Sequence, residues 1–436
     1  MKKATVIGGA VAITLVLLAL AAGNRDRERD VDSTAPTSPA MAPSVEAHEG
    51  LLYGRVTMAD GTVYQGRLRW GGDEEAVWGN YFNGFKDENP WVAHAPSELL
   101  PKERLSFTVF GKEITLADQT IELGRPFMAR FGDIARIEAR GSDLWVTLKS
   151  GTVFHLDRFA ADDLADGIRV WDGSRGVVDL GEWRIRTIEL LAPSSDGKAP
   201  HPLYGTVRTR QGDFTGFVQW DREECLGSDE LDGHSADGEL SLRFDAIRTI
   251  ARRSQNSSLV TLLDGREIVL SDTRNVGEGN RGIYVDDRRY GRVLISWDAF
   301  ERVDFSPGGT GPAYDAFAPG RELTGSVTTR SGRRLVGRLV YDLDESETTE
   351  TLDAPSQGVD YAIPFSLIAS IALPGLEERG AHQARVTLRS GEEVQLELAG
   401  DLGEWNAGML IFIDGRERPE YVPWADVHQV DIDRSP

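Results

Sequence analysis

An aromatic residue followed at three-residue steps by two aliphatic residues recurs along this chain, and internal repetition constrains a fold before anything else does. Phe131-x-x-Ile134-x-x-Ile137, Phe244-x-x-Ile247-x-x-Ile250 and Phe365-x-x-Ile368-x-x-Ile371 form one set. Trp297-x-x-Phe300-x-x-Val303 and Trp424-x-x-Val427-x-x-Val430 form a related set, with Trp183 and Ile188 as a looser version. Repeated positions are usually core positions, so the pattern speaks to architecture before function.

Three long repeats open alike, at Leu52-Tyr-Gly54-x-Val56, Leu203-Tyr-Gly205-x-Val207 and Leu323-Thr-Gly325-x-Val327. A hairpin turn is expected at Gly61, Gly212 and Gly332. A further glycine inside the returning strand, Gly66, Gly216 or Gly337, suggests a sharp bend or a bulge. Trp70, Trp220 and Tyr341 follow. The second half of each repeat opens on Val146-Thr-Leu-Lys-Ser-Gly151, Val260-Thr-Leu-Leu-Asp-Gly265 or Val386-Thr-Leu-Arg-Ser-Gly391. Val327-Thr-Thr-Arg-Ser-Gly332 in the first half of the third repeat matches the last of these, so each long repeat reads as a duplication.

Period-two alternation, as in Val394-x-Leu396-x-Leu398 and Val293-x-Ile295-x-Trp297, marks strands. The three-residue steps fit a single 3₁₀ turn, in which residues three apart share a face. The fold class is therefore all-β, with about six half-units in three modules. A hairpin-rich meander whose last two strands are joined by a 3₁₀ turn resembles the SH3-like and Sm-like small β-barrels. This resemblance implies tandem small barrels and carries no activity with it. A half-unit of about 50 residues is marginal alone, so two should pack together. Modules are expected at 51–192, 203–306 and 322–434, stacked in a row, with a six-bladed propeller as the rival topology.

The chain opens Met-Lys-Lys and then runs uncharged from Ala4 to Gly23, an apolar helix that is either a cleaved signal peptide or a retained membrane anchor. Both versions export the remainder, to a periplasmic or other extracytoplasmic space, soluble after cleavage or tethered by residues 4–23. Residues 24–50 have linker composition. The single Cys225 makes no internal disulfide, so the cores must hold the fold. With 70 acidic against 48 basic residues and a net charge of −22, a nucleic-acid partner is disfavoured.

The first repeat is longer. Trp70 to Phe131 spans 61 positions where the later repeats span 24, an insertion at about 79–118. Leu105-x-Phe107-x-Val109 and Ile114-x-Leu116 read as a hairpin within it. Trp78, Tyr81, Phe82, Phe85 and Trp91, interleaved with Asn and Gly, have the make-up of a loop that binds a sugar or peptide. The alternative is a cover over one end of the first barrel. Asp272, Asn275 and Asn280, with Asp401 and Asn406, offer oxygen ligands for calcium or, better, turn caps. The acidic stretch Asp221 to Asp232 reads as a solvated loop.

No catalytic motif, metal-binding spacing or cofactor fingerprint stands out, and the catalytic, metal and cofactor assignments are none. The sequence thus points to an exported, non-catalytic binding or scaffold protein of a bacterial-type cell envelope, with a protein or polysaccharide partner. A structural subunit that forms homo-oligomers is the first alternative. A carbohydrate-active enzyme with carboxylates in a cleft between modules is the second.

Overall fold

The computed structural model describes residues 49–71, 74–100, 126–158, 167–193, 201–309, 311–375 and 382–433, and the backbone of the two strands between 102 and 120. The apolar segment 4–23 and linker residues 24–48 lie outside the described residues.

The first repeat forms β1 (Tyr53–Met58), β2 (Val63–Trp70), β3 (Tyr81–Phe85), β4 (Lys102–Val109), β5 (Lys112–Thr120), β6 (Pro126–Arg130), β7 (Ile134–Arg140), β8 (Asp143–Leu148), β9 (Val153–Asp157), β10 (Ile168–Asp172), β11 (Gly176–Leu180) and β12 (Ile185–Leu190). The second forms β13 (Tyr204–Thr209), β14 (Gly212–Gln219), β15 (Glu230–Ser235), β16 (Gly238–Arg243), β17 (Ile247–Ser254), β18 (Ser257–Leu262), β19 (Glu267–Ser271), β20 (Ile283–Asp287), β21 (Gly291–Ile295) and β22 (Phe300–Phe305). The third forms β23 (Thr324–Thr329), β24 (Arg334–Val340), β25 (Thr351–Ser356), β26 (Val359–Pro364), β27 (Ile368–Ala372), β28 (Gln383–Leu388), β29 (Glu393–Glu397), β30 (Met409–Phe412), β31 (Glu420–Val422) and β32 (Val427–Ile432). The inserted hairpin is β4–β5, whose register closes at Val109 and Lys112.

All the sheets are antiparallel, and three are large. The first has the order β11-β10-β2-β1-β12-β7-β8-β9, and the third the equivalent order β31-β30-β24-β23-β32-β27-β28-β29. The second contains the same run from β21 to β19, extended by its own hairpin β15–β16 at one end and by β25–β26 of the third repeat at the other. The described strands form no closed barrel. The first strand of each repeat pairs with the last strand of the second half, as Val56 does with Ile188. The last strand of the first half, β7, pairs with β8 and β12. The two halves have exchanged their closing strands, and that exchange opens the expected barrels into one shared sheet.

A 3₁₀ turn stands where the three-residue steps place it, at Phe131–Asp133, Phe244–Ala246, Phe365–Leu367, Glu182–Arg184 and Trp424–Asp426. The Trp297 copy is an ordinary turn. Each repeat packs the aromatic at the end of its second strand on these rings: Trp70 on Phe131 at 5.2 Å, Trp220 on Phe244 at 6.4 Å, and Tyr341 on Phe365 at 5.3 Å. Gly216 marks no bulge, its register running unbroken on both sides. It pairs with Gly205 on one side, and a Cβ there would lie 1.9 Å from the Asp286 carbonyl oxygen of β20 on the other.

The repeats do not stand in a row, because each touches the other two. Trp78 of the first stacks on Phe217 of the second at 4.7 Å, and Cys225 is buried against Leu51 and Leu226 at the same boundary. β26 of the third pairs with β21 of the second, setting Val293 opposite Tyr361. Lys86, Asn89 and Ser150 of the first bond to Asp344, the Leu343 carbonyl and Glu347 of the third. Arg292 of the second repeat lies 3.8 Å over the Tyr81 ring and 4.4 Å over the Tyr284 ring, and donates to the Met128 sulfur.

Candidate functional site between the first and third repeats

At the end of its second strand each repeat bridges an aromatic to the glutamate four residues on, Trp70 to Glu74, Trp220 to Glu224 and Tyr341 to Glu345, and in the second and third repeats the bridge closes the same five-residue turn. A side-chain oxygen five or six residues past that bridge accepts two backbone N–H groups of the following turn. Asn80, Asp229 and Glu350 do this in turn. In the second and third repeats the turn needs two non-glycine residues at positive φ, Asp221 and Arg222, then Asp342 and Leu343. Such conformations cost roughly 1–2 kcal/mol each and persist only where the surroundings fix them.

What fixes them is the loop before β20 or β30. Asp221 accepts the N–H of Arg281, and Asp342 the N–H of Ala407. Trp220 donates to the Asn275 carbonyl and Tyr341 to that of Asp401, and Asn280 and Asn406 donate their amides to those same carbonyls. The Asn280 and Asn406 side-chain oxygens accept from Gly282 and Gly408. These two asparagines therefore cap their loops. The hydrogen bonds also align the loops residue by residue: Arg274 with Gly400, Asn275 with Asp401, and Arg281 with Ala407.

That alignment exposes a difference in charge. In the second repeat Arg274 bonds to Asp221 at 2.6 Å and Glu223 at 2.9 Å, Arg281 bonds to Glu223 at 2.7 Å, and Asn275 donates to Glu224. The acidic stretch is thus not a solvated loop at its start: Asp221 is fully buried, and two arginines neutralise its neighbourhood. In the third repeat both arginines are gone and a further carboxylate, Asp401, joins Asp342, Asp344 and Glu345. The cation that arrives comes from the first repeat: the ammonium of Lys86, 2.7 Å from Asp344 and 3.4 Å from Glu350. Burial alone would depress its pKa, but Glu350, Asp344 and Glu345 together hold it above the ordinary range.

These groups line a cleft of about 540 Å³ that also takes in Phe85, Asp353, Asp401 and Trp405. Burial, then Asp344 and Asp401, pushes the Glu345 carboxyl well above the usual range. Burial, then Asp353 and Asp342, does the same to Asp401. Asp353 is pushed up to about 6 by burial, against the pull of Arg292. A second, largely apolar groove of about 690 Å³ shares Gly400 and Trp405 with the cleft and is lined by Leu99, Leu398 and Trp424. Clustered carboxyls with raised pKa values suit proton transfer, and they equally suit capture of a cation.

The five aromatic residues picked from the insertion separate here. Trp78, Tyr81 and Phe82 are buried, Trp78 on Phe217, Tyr81 under Arg292, and Phe82 against Trp70 at 5.5 Å, so they pack rather than present a surface. Phe85 is half exposed and lines the cleft. Trp91 is part-buried, edge-on to Phe412 and beside Arg338. With Leu100 and Val92 it covers Leu343, Ala407 and Leu410 of the third repeat, not the end of the first. Sequence reasoning missed Trp405 and Glu345 and read Asp401 only as a calcium ligand or a turn cap. The signal was available in the replacement of Arg274 and Arg281 by Gly400 and Ala407, but it needs the loops aligned.

Elsewhere, Asp87, Asp143 and His155 bring three possible ligand atoms within 4.8 Å of one another, the one such group among the described residues. The imidazole faces Asp87 through Nδ1 and Asp143 through Nε2, and it stacks on Trp145. With each nitrogen turned to a different carboxylate, the arrangement reads as a surface polar contact that ties Asp87 to Asp143. The chain matches no protein-family model, no curated protein and no solved structure.

Proposed function

We propose that this chain is an exported, non-catalytic binding or scaffold protein of a bacterial-type cell envelope, and that its protein or polysaccharide partner docks at the cleft between the first and third repeats. The observation that carries this reading is Trp405, about half exposed at the shared rim of an acidic cleft and an apolar groove, with half-exposed Phe85 in the same cleft. Large exposed rings beside carboxylates are what sugar and peptide sites use for stacking and hydrogen bonding. The apolar run 4–23 supports the export address. Within this reading each half-unit is an SH3-like meander whose barrel has been opened by exchange with its twin. The test is retention from envelope extract by the immobilised full chain, beside Trp405→Ala and Phe85→Ser variants. A partner held by the wild type and lost from both variants supports the site; equal recovery from all three removes it.

A second reading, an assembly subunit, has its own observation. The β21 edge of the second repeat is covered by β26, whereas the equivalent β11 edge of the first pairs with β10 alone among the described strands. An uncovered edge can accept a strand from another chain. Sedimentation of the purified chain across a wide concentration range decides it, since a monomer throughout leaves that edge without a role.

A further inference from the structure

We infer that the cleft beside Trp405 is a receptor for an organic cation, a guanidinium or ammonium group presented by the partner. The inference rests on the docking reading above and deepens it. Its first support is the second repeat, where the same turn and the same loop, matched hydrogen bond for hydrogen bond, hold two guanidinium groups on Asp221 and Glu223. The third repeat keeps the acidic turn as Asp342, Asp344 and Glu345 and lacks both arginines. The protein itself therefore shows which chemical group this scaffold accepts. Gly400 cannot regain a side chain, because its φ is +58° and a Cβ would lie 2.3 Å from the Asp353 carbonyl oxygen.

The second support is Glu345. The residue as a whole is part-buried, but its carboxyl group is enclosed, and Oε2 is shut off from solvent with no hydrogen-bond partner. Oε2 of its counterpart Glu224 is unpaired in the same way, but the other Glu224 oxygen receives the Asn275 amide; Asp401, standing where Asn275 stands, offers a carboxylate instead, so Glu345 lacks the donor that Glu224 has. Lys86 bonds to Asp344 and Glu350 and attracts Glu345 without bonding to it. An enclosed acceptor left without a donor costs about 1–3 kcal/mol, which a cationic donor from outside would recover.

A divalent metal fits less well. Among the described residues no three carboxylates of this cleft bring their oxygens within 4.8 Å of one another. A planar guanidinium spans such spacing, and the exposed faces of Trp405 and Phe85 add cation–π attraction. Because burial and mutual repulsion raise the pKa values of Glu345 and Asp401 and a nearby cation lowers them, entry of a cation favours release of protons to solvent. The groups facing this pair are Asp342, Asp344, Glu350, Asp353 and Lys86, with Arg292 beside Asp353.

The test is isothermal titration of the full-length protein with tri-arginine amide, and separately with calcium chloride at matched ionic strength. The variants are Asp401→Asn, Glu345→Gln and, as a control in the second repeat, Glu224→Gln. Asp401→Asn reproduces the residue that the second repeat already carries, so its folding is secured. The expected result is binding of tri-arginine amide with proton release, weakened roughly tenfold or more by Asp401→Asn and Glu345→Gln and unchanged by Glu224→Gln. No heat up to about 1 mM peptide, the upper end of measurable weak binding, or equal affinity in all variants overturns the inference. Calcium binding in place of the peptide overturns the choice of an organic cation. If Asp401→Asn still retains the envelope partner while Trp405→Ala loses it, the docking site stands and the cation reading alone fails.

Discussion

Lys86 crosses from the first repeat to the third to meet Asp344 and Glu350 in a buried setting, its ammonium 4.9 Å from the Phe154 ring centroid, and replacing it by Met keeps most of the stem while deleting the charge. At separations of 2.7 and 3.4 Å the two attractions amount to roughly 5–6 kcal/mol each at an effective dielectric of 20, most of it offset by desolvating all three groups. What a truncation exposes is the cost of leaving two enclosed carboxylates without their cation, about 3–5 kcal/mol. That cost has a ceiling, because each carboxyl can take up a proton instead. For an ordinary glutamate the ceiling is about 5 kcal/mol at pH 8 and under about 1 kcal/mol at pH 5. Urea denaturation of wild type and Lys86→Met, followed by tryptophan fluorescence, should therefore give a loss of about 3–5 kcal/mol at pH 8 that shrinks to about 2 kcal/mol or less, the sum of two such ceilings, at pH 5. A loss below 1 kcal/mol at pH 8, or an equal loss at both values, would refute the reasoning.

Other perturbations follow from the same geometry. Gly216→Ala should destabilise the second repeat by about 3 kcal/mol or more, because β14 and β20 must part, whereas Gly61→Ala, in open space at φ +83°, should cost only about 1–2 kcal/mol; paired thermal melts check the contrast. Glu345, Asp401 and Asp353 have folded pKa values above their unfolded ones, so their contribution to stability is fully present below about pH 4. It is lost as pH rises through the folded values, near 6 for Asp353. The wild-type melting temperature should accordingly fall between pH 5 and pH 8, and fall less in Asp401→Asn. Arg292→Ala removes the cation shared by Tyr81 and Tyr284 and should speed proteolysis in the stretches joining the repeats before any loss of far-UV signal; simultaneous loss of both would count against a keystone role.

The repeats and the 3₁₀ turns were legible because periodicity reports which side chains enter a core, and Phe131, Phe244 and Phe365 are all buried. The exchange of closing strands was not legible. β1 and β8 carry the same pattern, so sequence alone does not say which of them β7 will meet. The aromatic insertion misled in a similar way: Trp78 and Phe82 read as a contact surface because nothing local reveals that Phe217 and Trp70 will cover them. The acids misled most. A run such as Asp221-Arg-Glu-Glu looks solvated until Arg274 and Arg281, more than fifty residues on, fold over it. The candidate cleft depends on what the third repeat has lost at those two places, and a loss is visible only once the two loops are laid side by side.

The exchanged strands also govern how this protein can come into being. Gly54 finds its partner Leu190 only after 136 further residues have emerged, so the opening strand of each repeat waits for the last one. At 5–20 residues per second that delay is on the order of ten seconds, during which the edge of β1 stands open. Pairings this distant slow folding and expose the nascent chain to pairing with the wrong repeat, whose strands carry the same pattern. A half-unit made alone would lack its closing partner and would have to find a second copy. Fusing two halves in one chain turns that encounter between molecules into a short search within one.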